Sequence, residues 1–319
     1  MSVLSSPHFH DEAEAFRFLE SIVWAAGVTC PHCGVVGGKV YDLSGVRGKA
    51  SVKNPEGAIR YGLKKCGECR KQFTVKVGTV FEHARMPLHK MLQAVHLLVS
   101  SKKGISAHQL ARVLEVQYKS AWFLAHRVRE AMRSGELAPF GSDGGIVEVD
   151  ETFIGPKEGM PKARHAYHHK MKVLSLVERS TGQARSMVVD KVNAETLVPI
   201  VRENIAREAS VMTDEHHAYT KLADHFAAHG TTNHKSGEYV RGIVHSNTVE
   251  GYFSIFKRGM KGIYQHCGEK HLHRYLAEFD FRYNHRIANG FDDRQRGQAA
   301  LAGIAGKRLT YGGSAPTIR

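Results

Sequence analysis

Two Cys-x-x-Cys pairs constrain this chain more than any other feature. They lie 32 residues apart and account for four of the five cysteines: Cys30 with Cys33, and Cys66 with Cys69. Two such pairs can present four thiolates tetrahedrally to Zn²⁺, whereas a redox dithiol needs only one pair. The gap between the pairs is longer than in short zinc clips. The pattern predicts a structural zinc ribbon with these four cysteines as its ligands.

The residues around the cysteines predict a small β module. Short strands are expected in GKVYDLSG and AIRYGLKK between the pairs, and a third in QFTVKVGTVF after the second pair. A short amphipathic helix is expected before the ribbon, from the spacing of Phe16, Leu19, Ile22 and Val23. Because so small a module buries little apolar surface, zinc would supply much of its stability. We assign residues 1–86 to this helix and ribbon.

The charge of the chain indicates a polyanionic partner. Its 319 residues include 45 lysines and arginines against 31 acidic residues, which gives a formal charge of +14 and a pI near 9.6. Such an excess attracts phosphate backbones through counterion release, and it does not distinguish DNA from RNA. The alternative is a basic surface that only keeps the protein soluble. No apolar run is long enough to span a membrane, and the N-terminus lacks a signal-peptide pattern. We therefore expect a cytoplasmic protein.

Residues 87–138 have the pattern of a helix-turn-helix. Apolar residues recur at spacings of three and four from Leu88, and two shorter helices follow, the first of them capped by Ser106. The second short helix, YKSAWFLAHRVREAMR, carries Lys119 and Arg127 away from its apolar positions, and both are candidate DNA contacts. The alternative is a three-helix bundle that only links domains. The neighbouring ribbon and the net charge favour DNA binding.

After a glycine-bearing linker, residues 145–290 predict a mixed sheet with helices packed on it. The first strand, GIVEVDETFIG, carries Glu148 and Asp150 on one face, and a hairpin of two strands, a helix and a strand that ends at Asp214 follow. Two inward-facing acids are costly unless a cation meets them. Carboxylates that converge at a sheet edge suit Mg²⁺, and two such ions can hold the attacking and leaving oxygens of a phosphoryl transfer.

The segment HSNTVEGYFSIFKRG leaves two interpretations of Glu250 open. Asn247 and Glu250 have the spacing of a helix capping box, in which the carboxylate serves the backbone. The same helix would bury its aromatic residues on one face, while Glu250 and Lys257 share another face about two turns apart. From the residues alone, Glu250 is either a capping carboxylate or a metal ligand.

Three of these blocks resemble a known family. VDETFIG at residue 149, TDEHHAY at 213 and HSNTVEGYFSIFKRGMKGIYQH at 245 resemble the catalytic blocks of zinc-ribbon DDE transposases from bacterial insertion sequences, the ISXO2-like group related to Merlin elements. CPHCG and KCGECRKQFTVKVGTVF are similar to that group's N-terminal half, so the resemblance covers residues 15 to 290. One segment, PKEGMPKARHAYHHK, is less rich in arginine and glycine than the family pattern, and its DNA contacts stay open.

The resemblance implies an α/β multi-domain protein with an RNase H-like catalytic domain. It implies that the catalytic acids, which bind Mg²⁺ or Mn²⁺, are Asp150, Asp214 and Glu250, the last two 36 residues apart. The family carries a lysine on the helix face next to that of the glutamate, and the resemblance assigns it to Lys257. Arg258 beside it is a further expected DNA contact. The acids are therefore expected to meet at one metal site.

The implied function is DNA transposition. Such a protein would bind double-stranded DNA, both the terminal repeats of its element and the target, as a homodimer in the nucleoid-associated bacterial cytoplasm. One rival is a DNA-binding regulator derived from an inactive transposase, and another is a metal-dependent nuclease that cuts without joining. Residues 291–319 are expected to form a basic tail that orders on DNA.

Overall fold

The structure is a computed structural model that describes residues 3–52, 54–135, 138–161, 167–233, 236–238 and 240–310. The chain divides into two compact units. The N-terminal unit comprises Met1–Ser101, Ile105–Met132 and Asp293–Arg319. The sheet unit comprises Lys102–Gly104 and Arg133–Asp292. The predicted ribbon and helix-turn-helix thus lie in one unit, and the predicted catalytic domain lies in the other.

The described residues form eight α-helices and ten strands. The helices are α1 (Glu12–Val23), α2 (Leu88–Ser100), α3 (Ala107–Leu114), α4 (Tyr118–Ala131), α5 (Ala194–Asn204), α6 (Asn247–Gly259), α7 (Glu269–Asn284) and α8 (Asp293–Ala302). The strands are β1 (Val40–Asp42), β2 (Lys64–Cys66), β3 (Gln72–Phe73), β4 (Ile146–Pro156), β5 (Lys170–Glu178), β6 (Ala184–Val189), β7 (Ser210–Asp214), β8 (Ala228–Thr232), β9 (Val240–Arg241) and β10 (Val244–His245).

The ribbon is a three-stranded antiparallel sheet in the order β1-β2-β3. Its third strand ends at Phe73 and is therefore shorter than predicted. The Thr74 hydroxyl accepts a hydrogen bond from the Lys76 amide, and the Thr79 hydroxyl donates to the Lys76 carbonyl. Such local bonds from threonine hydroxyls compete with strand pairing. The alternating pattern of QFTVKVGTVF therefore forms turns after its second residue.

The helix-turn-helix is present as α3 and α4. The predicted cap is confirmed, since the Ser106 hydroxyl accepts a hydrogen bond from the Gln109 amide at 3.1 Å. The turn between the helices places Glu115 in the left-handed region, at φ 54°. Leu124, Ala125 and Val128 are buried on the inner face of α4, as the apolar spacing predicted.

The segment expected to be a tail begins with a helix. In α8, Ala300 and Leu301 are buried, and Arg296 donates a hydrogen bond to the Val99 carbonyl of α2 at 3.1 Å. These contacts place the first part of the segment, as a helix, within the N-terminal unit. Residues 311–319 lie outside the described residues.

The sheet unit contains a five-stranded mixed sheet in the order β6-β5-β4-β7-β8. Strands β4, β5 and β6 form an antiparallel meander, and β7 and β8 continue the sheet parallel to β4. Helix α5 supplies the crossover that a parallel β4–β7 pair requires. When the five strands are numbered by their order in the chain, their order across the sheet is 3-2-1-4-5. This order confirms the predicted mixed α/β fold of the RNase H type. Strand β8 and the β9–β10 hairpin were not predicted.

Both faces of this sheet are covered by helices. Val147, Val149 and Leu176 pack with α5 in one buried cluster. Ile154 and Val173 pack with α6 and α7 in another. Because successive side chains of a strand point to opposite faces, the even-numbered residues of β4 between Val147 and Ile154 face α6. Glu148 and Asp150 are therefore directed toward the helix that carries Glu250.

A buried carboxyl network joins the α6 side of the sheet to α7. Asp280 accepts hydrogen bonds from the Tyr252 hydroxyl at 2.6 Å, the Ser186 hydroxyl at 2.7 Å and the Ser186 amide at 2.8 Å. Burial raises the pKa of Asp280 to about 6, although these three hydrogen bonds oppose the shift. The folded protein thus favours the protonated carboxyl more than the unfolded chain does.

This network predicts a pH dependence of stability. A carboxyl whose pKa is raised on folding contributes stability below its unfolded pKa, and that stability is lost as the pH rises toward the folded pKa of about 6. We expect Asp280→Asn, which is isosteric and uncharged, to remove about 1–3 kcal/mol of this pH dependence. Denaturant unfolding of both proteins at pH 4.5 and 7 measures it. Equal pH slopes would show that Asp280 does not titrate in this range.

Candidate active site

Asp150 and Asp214 lie at matching positions on neighbouring parallel strands. The β4–β7 register pairs Ile146 with Ser210 and Glu148 with Met212. Two residues beyond the last pair, β4 carries Asp150 and β7 ends at Asp214. Both side chains are half-buried. Parallel pairing therefore brings two acids, 64 positions apart in the sequence, to neighbouring strands.

Glu250 comes to the same region from α6. The helix buries Val249, Phe253 and Phe256 against the sheet, as their spacing predicted, and leaves Glu250 exposed in its first turn. The Ser246 hydroxyl donates a hydrogen bond to Glu250 Oε1 at 2.8 Å.

The pKa of Asp150 is affected by the charges of nearby acids. Burial holds the pKa of the Asp150 carboxyl well above its ordinary value, and repulsion from Glu151, Asp214 and Glu250 adds to the shift. Among the described residues, the ligand atoms of the four cysteines all lie within 4.8 Å of one another, whereas the three acids are not grouped as tightly, so their meeting at one metal site stays a prediction. Asp150 is thus an acid whose charge calls for a compensating cation.

The donor chemistry fits a hard divalent cation. In the part of the chain that the structure describes, no lysine or arginine forms an ion pair with Asp150 or Asp214. Their recorded hydrogen bonds come from backbone amides, of Glu151 to Asp150 at 2.7 Å and of His216 to Asp214 at 3.0 Å. Carboxylate oxygens are the ligands that Mg²⁺ and Mn²⁺ prefer. Asp150, Asp214 and Glu250 are the residues that would hold such an ion.

Glu151 belongs to the other face of the sheet. It is adjacent to Asp150 in β4, and its carboxylate accepts a hydrogen bond from the buried Tyr219 hydroxyl at 2.5 Å. Burial raises the pKa of Glu151, and this hydrogen bond opposes the shift. Glu151 adds negative charge behind the site without sharing the face of Asp150.

The capping box predicted for Glu250 is not formed. The helix begins one residue earlier than that box requires, and its N-cap residue, Ser246, makes no side-chain capping hydrogen bond. The free amides of Thr248 and Val249 instead donate to Glu148 at 2.8 and 2.9 Å. The capping carboxylate therefore comes from strand β4, and Glu250 is left for another role.

Glu148 is the residue whose role the sequence did not reveal. It was recognised as an inward-facing acid that needs a cation, and the cation is Arg179, whose Nε lies 2.6 Å from Glu148 Oε1. Its partner helix begins about 100 residues away, so no local pattern could assign it to α6. The one available signal was its shared strand face with Asp150.

The candidate DNA contacts fall into two groups. Lys119 and Arg258 are exposed, and Lys257 is half-buried with its Nζ 5.7 Å from the centre of the Phe253 ring. Arg127 is only 8% exposed, and it donates a hydrogen bond to the Glu82 carbonyl at 2.9 Å. Because its guanidinium is used inside the N-terminal unit, Arg127 is corrected from a DNA contact to a structural arginine.

The histidine-rich stretch is only partly described. Residues 162–166, which include His165 of HAYHHK, lie outside the described residues. His168 is exposed and His169 is buried.

The four predicted zinc ligands converge. The Cys30 and Cys69 sulfurs are 3.7 Å apart, and those of Cys33 and Cys66 are 3.8 Å apart. Zn–S bonds of about 2.3 Å in a tetrahedron set neighbouring sulfurs about 3.8 Å apart. The four thiols thus have the spacing that structural zinc requires.

Among the described residues, none of the helices combines the length and the apolar character needed to cross a bilayer.

Comparison with known proteins finds matches to two family models and to one curated relative. Residues 144–284 match the family model of the ISXO2-like transposase domain, and residues 10–72 match that of the transposase zinc-ribbon domain. A Halobacterium salinarum protein, described as an uncharacterized protein in transposable element ISH50, is 28% identical over 296 residues, which cover 86% of this chain and 91% of the relative.

One solved structure is also similar, the cryoEM structure of a simian T-cell lymphotropic virus intasome in complex with PP2A regulatory subunit B56 gamma. It is 14% identical, covers 54% of this chain and 63% of its own, and has a TM-score of 0.29, which supports no conclusion about this protein. Together with the cysteine cluster, the two family models identify an ISXO2-like transposase domain preceded by a transposase zinc-ribbon domain in this chain.

Proposed function

We propose that this transposase binds the ends of its insertion sequence and catalyses metal-dependent DNA strand cleavage followed by strand transfer. The observation that carries the proposal is geometric: Asp150 and Asp214 lie on neighbouring parallel strands, and Glu250 lies in the first turn of the helix whose start is hydrogen-bonded to Glu148 of the same strand as Asp150. A protein that only binds DNA has no need of three acids in this arrangement.

The role of the three acids is to hold the metal ions at the reaction site. Asp150 and Asp214 offer oxygens from adjacent strand ends, and Glu250 offers one from the first turn of α6. When bound, a pair of Mg²⁺ or Mn²⁺ ions supplies an activated water or 3′ hydroxyl and neutralises charge on the leaving oxygen. No side chain needs to form a covalent bond with DNA.

DNA recognition is assigned to the N-terminal unit. Lys119 lies exposed at the start of α4, the second helix of the helix-turn-helix, where side chains of such helices meet the major groove. The ribbon, held by zinc at its four cysteines, supports this unit and adds positive charge. Because transposition joins two element ends, we propose a homodimer on DNA, acting at the bacterial nucleoid.

The test of function is cleavage of a plasmid that carries the element with its flanking DNA. With Mg²⁺ or Mn²⁺, we expect cuts at the element boundary and then products joined to target DNA. Boundary cuts without joined products would indicate a nuclease. Binding to the ends without cuts, with zinc retained, would favour a DNA-binding regulator derived from an inactive transposase.

Lys257 is proposed to contact phosphate near the scissile bond, with Arg258 beside it. Reversing its charge in Lys257→Glu should weaken end binding about 10-fold and lower the salt dependence of binding by about one charge, because one phosphate contact is lost. Fluorescence anisotropy with an end oligonucleotide at several salt concentrations measures both effects.

Arg202→Glu is the matched control for this variant. Arg202 is an exposed cation of α5, which packs on the opposite face of the sheet from α6. Equal losses of binding in the two variants would assign the effect to overall charge. Unchanged cleavage in Lys257→Glu would remove the proposed role.

A further inference from the structure

Glu148 is a fully buried carboxylate, with 0% exposure, in the central strand of the sheet. Oε2 accepts the backbone amides of Thr248 and Val249 at 2.8 and 2.9 Å. Oε1 accepts the Thr248 hydroxyl at 2.8 Å and Arg179 Nε at 2.6 Å. The carboxylate is thus satisfied by Arg179, which follows the last residue of β5, and by donors in the first turn of α6.

Arg179 extends the same network to the chain that leads into α6. Its two terminal nitrogens donate to the Ile243 carbonyl at 2.7 Å and the His245 carbonyl at 2.8 Å. His245 Nδ1 also lies 3.2 Å from Glu148 Oε1. One charged pair therefore holds both the β10 segment and the start of the helix.

The network is two residues in sequence from each of two proposed metal ligands. Asp150 follows Glu148 by two residues on the same strand face, and Glu250 follows Thr248 by two residues in the same helical turn. The hydrogen bonds of Glu148 thus join the strand that carries Asp150 to the helical turn that carries Glu250. A change in these bonds would shift the helical turn that carries Glu250 relative to the strand that carries Asp150.

We propose that Glu148, supported by Arg179, is a positioning residue that sets Glu250 against Asp150 for metal binding. The proposal rests on the proposed function, in which Glu250 is a metal ligand. Glu148 itself is not a ligand, because its oxygens are occupied by Thr248, Val249 and Arg179. It acts by fixing the start of α6 to β4.

The test is the affinity of the zinc-loaded, full-length protein for Mn²⁺, measured by electron paramagnetic resonance of the free ion. Glu148→Gln replaces one accepting oxygen with an amide nitrogen, which would face N–H and O–H donors. Mn²⁺ binding should therefore weaken about 10-fold or more, the range found when residues that hydrogen-bond metal ligands are changed. Glu250→Gln should weaken it also. The double variant should be no weaker than Glu250→Gln alone, because Glu148 acts through Glu250.

Hydrogen exchange supplies a readout that does not involve metal. In Glu148→Gln, the amides of Thr248 and Val249 should exchange faster, while those of the buried α7 stay protected. The control is Glu278→Gln, which alters another buried carboxylate paired with an arginine, Arg282, on α7. That variant should leave Mn²⁺ affinity unchanged even where it lowers stability.

Arg179→Lys serves if Glu148→Gln does not fold. Lysine keeps the positive charge but lacks the guanidinium group, whose nitrogens bond Glu148 and the two carbonyl oxygens. Mn²⁺ binding should therefore fall, and the loss should again not add to that of Glu250→Gln. Additive losses in either cycle would overturn the positioning role while leaving Glu250 a ligand. Unchanged Mn²⁺ affinity in Glu250→Gln alone would overturn the ligand role and the positioning role together.

Discussion

Asp150→Asn, Asp214→Asn and Glu250→Gln are each expected to lower the rate of cleavage at the element boundary by about 10²–10³-fold or more, the effect of removing one group that stabilises transition-state charge. Each amide keeps the size of the side chain but cannot hold a divalent ion as strongly, because it has lost the negative charge. Binding of the element ends by the N-terminal unit should be unchanged. Gel-resolved cleavage and end binding, measured on the same preparations, separate the two effects.

Glu203→Gln is the control for the three amide variants. Glu203 is an exposed acid of α5, on the face of the sheet away from α6, and its loss of charge should leave cleavage intact. Full activity in Glu250→Gln with inactive Asp150→Asn and Asp214→Asn would reduce the site to two acids. Full activity in all three variants would require a different catalytic centre.

Loss of zinc is expected to have the second large effect. The ribbon buries few side chains of its own: its core consists of Cys30, Cys66 and Phe73, with a few partly buried neighbours. Zinc binding contributes about 10–16 kcal/mol in zinc-finger peptides, so the metal must supply most of the ribbon's stability. Cys66→Ser should therefore abolish zinc binding, unfold the ribbon and weaken binding of the element ends.

Cys267→Ser is the matched control, since this cysteine lies outside the cluster, in the sheet unit. We expect one zinc per chain by atomic emission in wild type and in Cys267→Ser, and none in Cys66→Ser. Circular dichroism and anisotropy with the element ends then follow the ribbon's fold and function. One zinc retained by Cys66→Ser with unchanged end binding would contradict the assignment.

The predictions that the structure confirms depend on local patterns. The Ser106 cap, the buried face of α4 and the apolar face of α6 each follow from side chains within a few residues of one another. The mixed sheet was also predictable, because a hairpin, a helix and a further strand leave few ways to pair the strands. The candidate acids were named as a set from the resemblance of their sequence blocks to a known family, before their surroundings were known.

The predictions that were wrong depend on partners from distant segments or on local competition. Arg127 has a surface-like position in its helix, but the Glu82 carbonyl engages it inside the N-terminal unit. The tail was assigned from its charge, yet α8 packs on α2. QFTVKVGTVF alternates like a strand, but threonine hydroxyls turn it after Phe73.

The sequence alone indicated which chemical groups this protein offers: four thiols in two pairs, a helix-turn-helix with its cap, and acids in blocks at Asp150, Asp214 and Glu250. Only the tertiary structure decided how those acids are held, because the parallel pairing of β4 and β7 puts two of them on neighbouring strands and Glu148 is hydrogen-bonded to the start of the helix of the third. Local patterns report which face of an element is buried. They do not report which residue about 100 positions away will meet it, since that depends on strand order and pairing across the whole sheet.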